Sequence, residues 1–250
     1  MDRCASNSRR IAIMQPTFAP WLGYFDLLDR VDLFVLLDDV QLSRQSFQTR
    51  NRVQGSAPEP KWLPVPHDHS QPIADRLIAT TRVKDPKATV DRMCNVLSNL
   101  YQASPYLPLV TEMLSLAFEN EMLADVNATL ISLVAEQFRI ATPMIRASSL
   151  DVRDRRSERV LGILEAVSWG SYVTVPGAVD YMISDGTFAS AVDRVFVEAF
   201  EPLEYEQRGS HPFSSHLSVL DALLEVGPER ARDVMLAGRR PLKPLRETAG

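Results

Sequence analysis

Three amides, two carboxylates and two guanidiniums stand close together near the start of the chain. Gln15 closes the apolar run Ile11-Ala12-Ile13-Met14. Asp38, Asp39 and Gln41 close a second run, Leu33 to Leu37, and Arg50-Asn51-Arg52 follow. A carboxylate in such a set can act as a general base or a metal ligand. An arginine can grip an anion with two parallel N–H bonds. Successive side chains of a strand point to opposite faces, so only one of Asp38 and Asp39 easily faces a given pocket. Asp39 is the expected catalytic residue, because it lies nearer the loop and shares strand parity with Gln41. Asp38 is then held inside the protein, and Arg50 and Arg52 are the cations expected to serve both carboxylates. No metal site is expected. His67-Asp68-His69 alternates as strand ligands can, but Pro64 and Pro66 make the stretch a loop. Cys94 falls on the apolar stripe of a helix and reads as a core cysteine. The chain carries no GxGxxG, GxxxxGK[ST], CxxC, HExxH or GxSxG motif.

The elements that must position these groups follow from hydrophobic periodicity. Ile11–Met14 and Leu33–Leu37 are near-continuous apolar runs, as in a parallel sheet covered on both faces. Between them Trp21, Tyr24, Phe25 and Leu28 recur at helical spacing, with Pro20 suited to a first turn. A strand–helix–strand unit of this kind is right-handed and brings Gln15 and Asp39 to one edge of the sheet. Trp21 and Tyr24 read first as packing residues of the helix stripe. In the alternative Trp21 walls the pocket, and both count among the substrate-binding candidates.

Residues 42–60 read as a long loop over that edge, 61–65 as a strand, and 78–83 as a further strand. Asp85-Pro86 and Ser104-Pro105 are helix starts, and a third helix runs from about 125 to 139. Later come a strand at 142–147, a helix at 157–168 and strands at 171–175 and 194–200. Ser218 caps a helix that Gly227 ends and Pro228 restarts. The organisation expected is an arm at 1–10, an α/β half at 11–84 carrying the site, a helical insertion at 85–140, a second α/β half at 141–238 and a loose tail at 239–250.

Composition narrows the function classes. The 250 residues are 45% hydrophobic and 24% charged, the balance of a globular protein. The net charge of -5 gives no global attraction to nucleic acid. The early apolar runs are far short of the roughly 20 residues a membrane span needs. The opening MDRCASNSRR lacks the apolar region of a secretory signal, so a cytoplasmic location is expected, with Cys4 and Cys94 reduced.

The same residues carry a resemblance. Gln15-Pro16-Thr17-Phe18-Ala19-Pro20-Trp21-Leu22-Gly23-Tyr24-Phe25, then Asp38-Asp39-Val40-Gln41, then Gln48-Thr49-Arg50-Asn51-Arg52, resemble the opening of the WbqC-like family. Further on, Lys61-Trp62-Leu63-Pro64-Val65-Pro66, Tyr101-Gln102-Ala103-Ser104-Pro105-Tyr106, Tyr205-Glu206-Gln207 and Leu217 to Leu224 match its later segments. The likeness spans roughly residues 10–230. It implies surface-polysaccharide or specialised-metabolite assembly.

The expected fold is α/β, with a mainly parallel Rossmann-like sheet in a nucleotidylyltransferase-like layout and a helical insertion. The expected function is transfer of a small acyl or aminoacyl unit to an amine or hydroxyl. Asp39 would be the base, Arg50 and Arg52 would hold a phosphate or carboxylate, and Gln15, Gln41 and Asn51 would orient polar groups. The donor would be an acyl-thioester or a carrier protein, and no cofactor is assigned. One rival is a transferase or ligase dependent on ATP and Mg²⁺. The other is a pathway protein that binds an intermediate without catalysis.

Overall fold

The computed structural model describes residues 9–248 apart from 45, 57, 71, 73, 74 and 185. The arm expected at 1–10 and Cys4 fall almost wholly outside the described residues, although Arg10 already opens the first strand.

Strands β1 (Arg10–Met14) and β2 (Leu33–Leu36) pair in parallel, with Ile11 opposite Leu33 and Met14 opposite Leu36. Helix α1 (Leu22–Asp29) connects them. Alternation within each strand explains why both read as continuous apolar runs. Ile11, Ile13, Leu33 and Val35 enter one core, while Ala12, Phe34 and Leu36 enter another on the opposite face.

Helices α2 (Pro86–Leu100), α3 (Leu107–Ala117) and α4 (Leu123–Gln137) follow, and they pack with α1 on the second of these faces. Asp85 caps α2 by accepting from the Ala88 N–H at 3.0 Å. Strand β5 (Met144–Arg146), helix α5 (Arg156–Ala166), strand β6 (Ser171–Thr174), helix α6 (Val179–Ser184) and strand β7 (Val195–Val197) complete the parallel part. With a last strand β8 (Lys243–Pro244), the sheet order is β5-β2-β1-β6-β7-β8, and the direction of growth reverses between β1 and β6. In open α/β sheets, ligands bind beyond the carboxyl ends of the strands near such a reversal. Helix α7 (Val219–Gly238) is two helices meeting at Gly227, with Ser218 Oγ accepting from the Leu220 N–H at 3.2 Å at its start.

Three readings of the chain need correction. Residues 42–60 are not loop throughout: Arg50–Val53 is strand β3, antiparallel to β4 (Lys61–Pro64) in a separate two-stranded sheet. Its inward residues are Asn51 and Val53, so only one of the two is apolar and the pattern gives little strand signal. Residues 78–83 form turns with isolated bridges, from Arg82 to Met122 and from Val83 to His67. Of the tail expected at 239–250, the described residues 239–248 return to the fold. Strand β8 (Lys243–Pro244) pairs antiparallel with β7, and Leu245 is buried in the core behind it.

Candidate functional site

Gln15 and Asp39 sit beyond the carboxyl ends of neighbouring parallel strands, as the strand–helix–strand pattern requires. What each side chain does there is decided by partners far along the chain. Asp38 is 1% exposed. Its carboxylate accepts from the Ser148 N–H at 3.0 Å and the Ser148 hydroxyl at 2.8 Å, with Arg146 at 3.7 Å. Arg146 also pairs with Asp125 on α4 at 2.5 Å. Asp39 pairs instead with Arg159 of α5, and its Oδ1 is buried without a hydrogen bond. Burial pushes the Asp39 carboxyl above the usual range, the charge of Asp38 adds to this, and Arg159 opposes it. Arg50 and Arg52, expected to serve these carboxylates, pair with neither. Cations of the second α/β half satisfy them, because the β5 and α5 ends reach the same edge.

The amides build the loop. Gln15 Oε1 accepts from Gln48 Nε2 at 2.6 Å, and Gln48 Oε1 accepts from the Ser43 N–H at 3.0 Å. Asn51 is buried, and its Nδ2 donates to the carbonyls of Phe18 and Ala19 at 3.1 and 2.7 Å. Ala19 has φ of 42°, so the amide of Asn51 fastens a strained turn and is not available to orient a ligand. Asn127, absent from the sequence reading, does the same for Pro16 and Gln48, both at 2.9 Å. Gln41 is exposed and bridges to Leu77.

The aromatic pair divides. Tyr24 is buried in the core, with its hydroxyl 3.3 Å from the Gln15 carbonyl, and burial raises its pKa. Trp21 packs edge-on against Phe200 at 5.3 Å and against His216 at 4.6 Å. The cleft it borders holds about 20 Å³, room for roughly one water. Tyr24 thus packs in the core, while Trp21 packs against Phe200 and His216 and also lines the small cleft.

A larger cavity of about 530 Å³ lies on the other side of the 42–50 loop. Its polar lining includes Thr49, Arg44, Arg50, Arg76, His67 and His69, and among the described residues no acidic one lines it. Arg50 stacks on Trp62 with its guanidinium carbon 4.1 Å from the ring centre, and Arg52 lies at 5.5 Å. The Nε atoms of both arginines are buried without a hydrogen-bond partner. Trp62 thus orients Arg50 by its ring face and leaves its forked N–H groups for another partner. Arg52 shares the β3 face with Arg50 but does not line the cavity.

The two histidines of this cavity are held in defined tautomers. His67 Nδ1 lies 3.2 Å from the Val65 carbonyl, which only accepts, so this nitrogen carries the proton and Nε2 presents a lone pair. Arg76 Nη1 donates to His69 Nδ1 at 2.7 Å. Burial lowers the His67 pKa below its usual value, and the nearby His69 and Arg76 charges lower it further. His67 is therefore neutral at pH 7 and suited to accept a proton. Sequence reasoning read His67-Asp68-His69 as a loop because of Pro64 and Pro66, and it gave Arg44 and Arg76 no role. Alternation at His67-Asp68-His69 was the one available signal.

The later matched segments have a structural explanation. Asp221 is fully buried and accepts from the Gln54 N–H at 2.7 Å and the Tyr205 hydroxyl at 2.7 Å. It also accepts from the Tyr101 hydroxyl and from Gln207 Nε2 at 3.4 Å. Three segments distant in sequence thus converge on one carboxylate.

The family model described as "WbqC-like protein family" matches residues 15–233. The uncharacterized protein Rv1507c of Mycobacterium tuberculosis is 25% identical over 228 residues, covering 88% of this chain and 95% of its own. No solved structure matches.

Proposed function

Because the chain belongs to the WbqC-like protein family, we propose that it is a biosynthetic transferase that holds an anionic small molecule in the arginine-lined cavity and moves a small acyl or aminoacyl unit to an amine or hydroxyl. The observation that carries this reading is the lining itself: Arg44, Arg50 and Arg76 converge on about 530 Å³ with no carboxylate among the described lining residues. Such a set suits a phosphate or carboxylate. We assign the proton-accepting role to His67 Nε2 in place of Asp39, whose carboxylate Arg159 engages. Gln15 then helps to position the loop that carries Arg44 and Thr49, through Gln48, while Asp38 and Asp39 tie the end of β2 to Ser148 and Arg159.

Pyrophosphate titration tests the anion site. Arg50→Ala should weaken pyrophosphate binding by about 10-fold or more, since a hydrogen bond to a charged group contributes roughly 1.5–3 kcal/mol. The unfolding midpoint should barely change, because the guanidinium is held mainly by a ring face. Equal affinity in wild type and variant would remove the reading.

The acidic limb tests His67. Sulfate keeps its charge throughout this range, so only protein groups titrate. Protonation of His67 adds a cation to the cavity, and its depressed pKa places this below about 6.5. Sulfate affinity should therefore rise as pH falls from 7 to 5 in the wild type. His67→Gln should flatten that rise. Unchanged pH dependence in the variant would place His67 outside the anion site.

A further inference from the structure

A second cavity, of about 470 Å³, lies beyond the carboxyl ends of β6 and β7, and it shares no lining residue with the arginine-lined one. Its lining includes Asp180, Glu198, Glu201, Arg240 and Lys243. Glu198 directly follows β7, and its N–H donates to the Thr174 carbonyl at 2.7 Å, which fixes its backbone at the sheet edge. The residue is only 5% exposed, yet Oε1 is buried and has no hydrogen-bond partner. The neighbouring ion pairs leave it out. Asp26 takes Arg30 and Arg239, both at 2.6 Å, and Glu201 takes Arg240 at 2.6 Å.

A buried carboxyl with no partner is costly, and natural proteins seldom keep one without a use. This one lies where α/β sheets hold ligands, next to the reversal in strand order. The lining carries three acidic residues (Asp180, Glu198, Glu201) against two basic (Arg240, Lys243), a net charge of one negative. We propose that this cavity is a second binding site, taking a small molecule through a primary ammonium group that pairs with the carboxylate of Glu198. Asp180 at the rim adds to the attraction.

The charged groups around Glu198 set the pH at which such a site works. Burial, with the charge of Asp26 adding to it and Arg30 opposing, raises its pKa from 4.5 to about 7. Asp180, Glu201, Arg240 and Lys243 face the same cavity, and Arg239 lies beyond Asp26. An ammonium ligand prefers the ionised carboxylate, so binding is strong above the folded pKa and is lost as pH falls through it. Without ligand the sign is the reverse for stability. The folded state holds the proton more tightly than the unfolded chain, so stability falls as pH rises from about 4.5 to about 7.

Ethanolammonium chloride is a suitable probe, followed by NMR titration of the full chain with a thermal-shift series alongside. Between pH 8 and pH 6 a group of pKa about 7 goes from roughly nine-tenths to one-tenth ionised, so affinity should drop about tenfold. Glu198→Gln keeps the shape and removes the charge. It should bind the probe at least about tenfold more weakly at pH 8, with no pH dependence. Pyrophosphate binding at the arginine-lined cavity should be untouched in Glu198→Gln, which separates failure of this site from failure of the first. The proposal is overturned if the wild type does not bind the probe, if the variant binds it equally well, or if Mg²⁺ competes it away.

Discussion

Asp221→Ala should lower stability by about 3–5 kcal/mol, the range for removing one member of a buried charged network. The carboxylate is fully buried on α7, where apolar neighbours would otherwise be expected. It accepts from the backbone of Gln54, which follows β3, from Tyr101 after α2 and from Tyr205 in the 200–217 segment. Alanine leaves all of these donors facing an apolar void. Burial raises the pKa of both tyrosines and persists in the variant, so neither can relieve the defect by ionising. Against a typical total of 5–15 kcal/mol, the loss is a large fraction of the fold's stability. For a chain of this size the midpoint should fall on the order of 10 °C, measured by thermal or urea unfolding. Asp221→Asn keeps one acceptor oxygen and turns a donor toward a hydroxyl, so it should cost about 1–3 kcal/mol. A loss under about 1 kcal/mol in Asp221→Ala would show that the convergence of these segments does not depend on the carboxylate.

Gly227→Ala should be the most damaging single methyl added to the chain. Gly227 has φ 78° and ψ 169°, a region open almost only to glycine. A Cβ there would sit 2.3 Å from Tyr106 Cζ. The backbone strain costs about 1–3 kcal/mol, and the overpacking a similar amount. The two causes can be separated. In a Tyr106→Ala background the clash is gone, and adding Gly227→Ala should then cost only the backbone part. A penalty unchanged by Tyr106→Ala would assign the whole effect to backbone strain.

The family resemblance rests on segments whose roles turn out to differ. Gln48 and Asn51 in the early match, and Tyr101, Tyr205, Gln207 and Asp221 in the later ones, build and fasten the scaffold. Thr49 and Arg50 are the residues of the early match that line the arginine-rich cavity. In the expectation that Asn51 and Gln15 orient a ligand, the residue types were sound, since amides do orient polar groups. Their partners are backbone carbonyls and Gln48, because a turn with Ala19 at positive φ leaves carbonyls that need donors.

Local physical chemistry was enough for the sheet and its helices. Apolar runs at 11–14 and 33–36 read as strands buried on both faces, and the helix between them pointed to the parallel pairing the fold shows. Asp85, Ser218 and Gly227-Pro228 marked helix ends through side-chain capping and backbone freedom, which act within a few residues. Strand β3 escaped because it buries an asparagine, and β8 because two residues carry no period. The charge partners lay beyond any local reading. Asp38 meets Ser148 across 110 residues and Asp39 meets Arg159 across 120. Electrostatic pairing depends on distance in space and on burial, and sequence separation measures neither. The two cavities are of the same kind. One gathers arginines and histidines from the 42–50 loop, the end of β4 and its following turn, and Arg76, and the other places Glu198 among side chains from α6 and the C-terminal segment. Only the packing of the sheet against its helices brings those groups to common walls and leaves the Glu198 carboxyl without a partner.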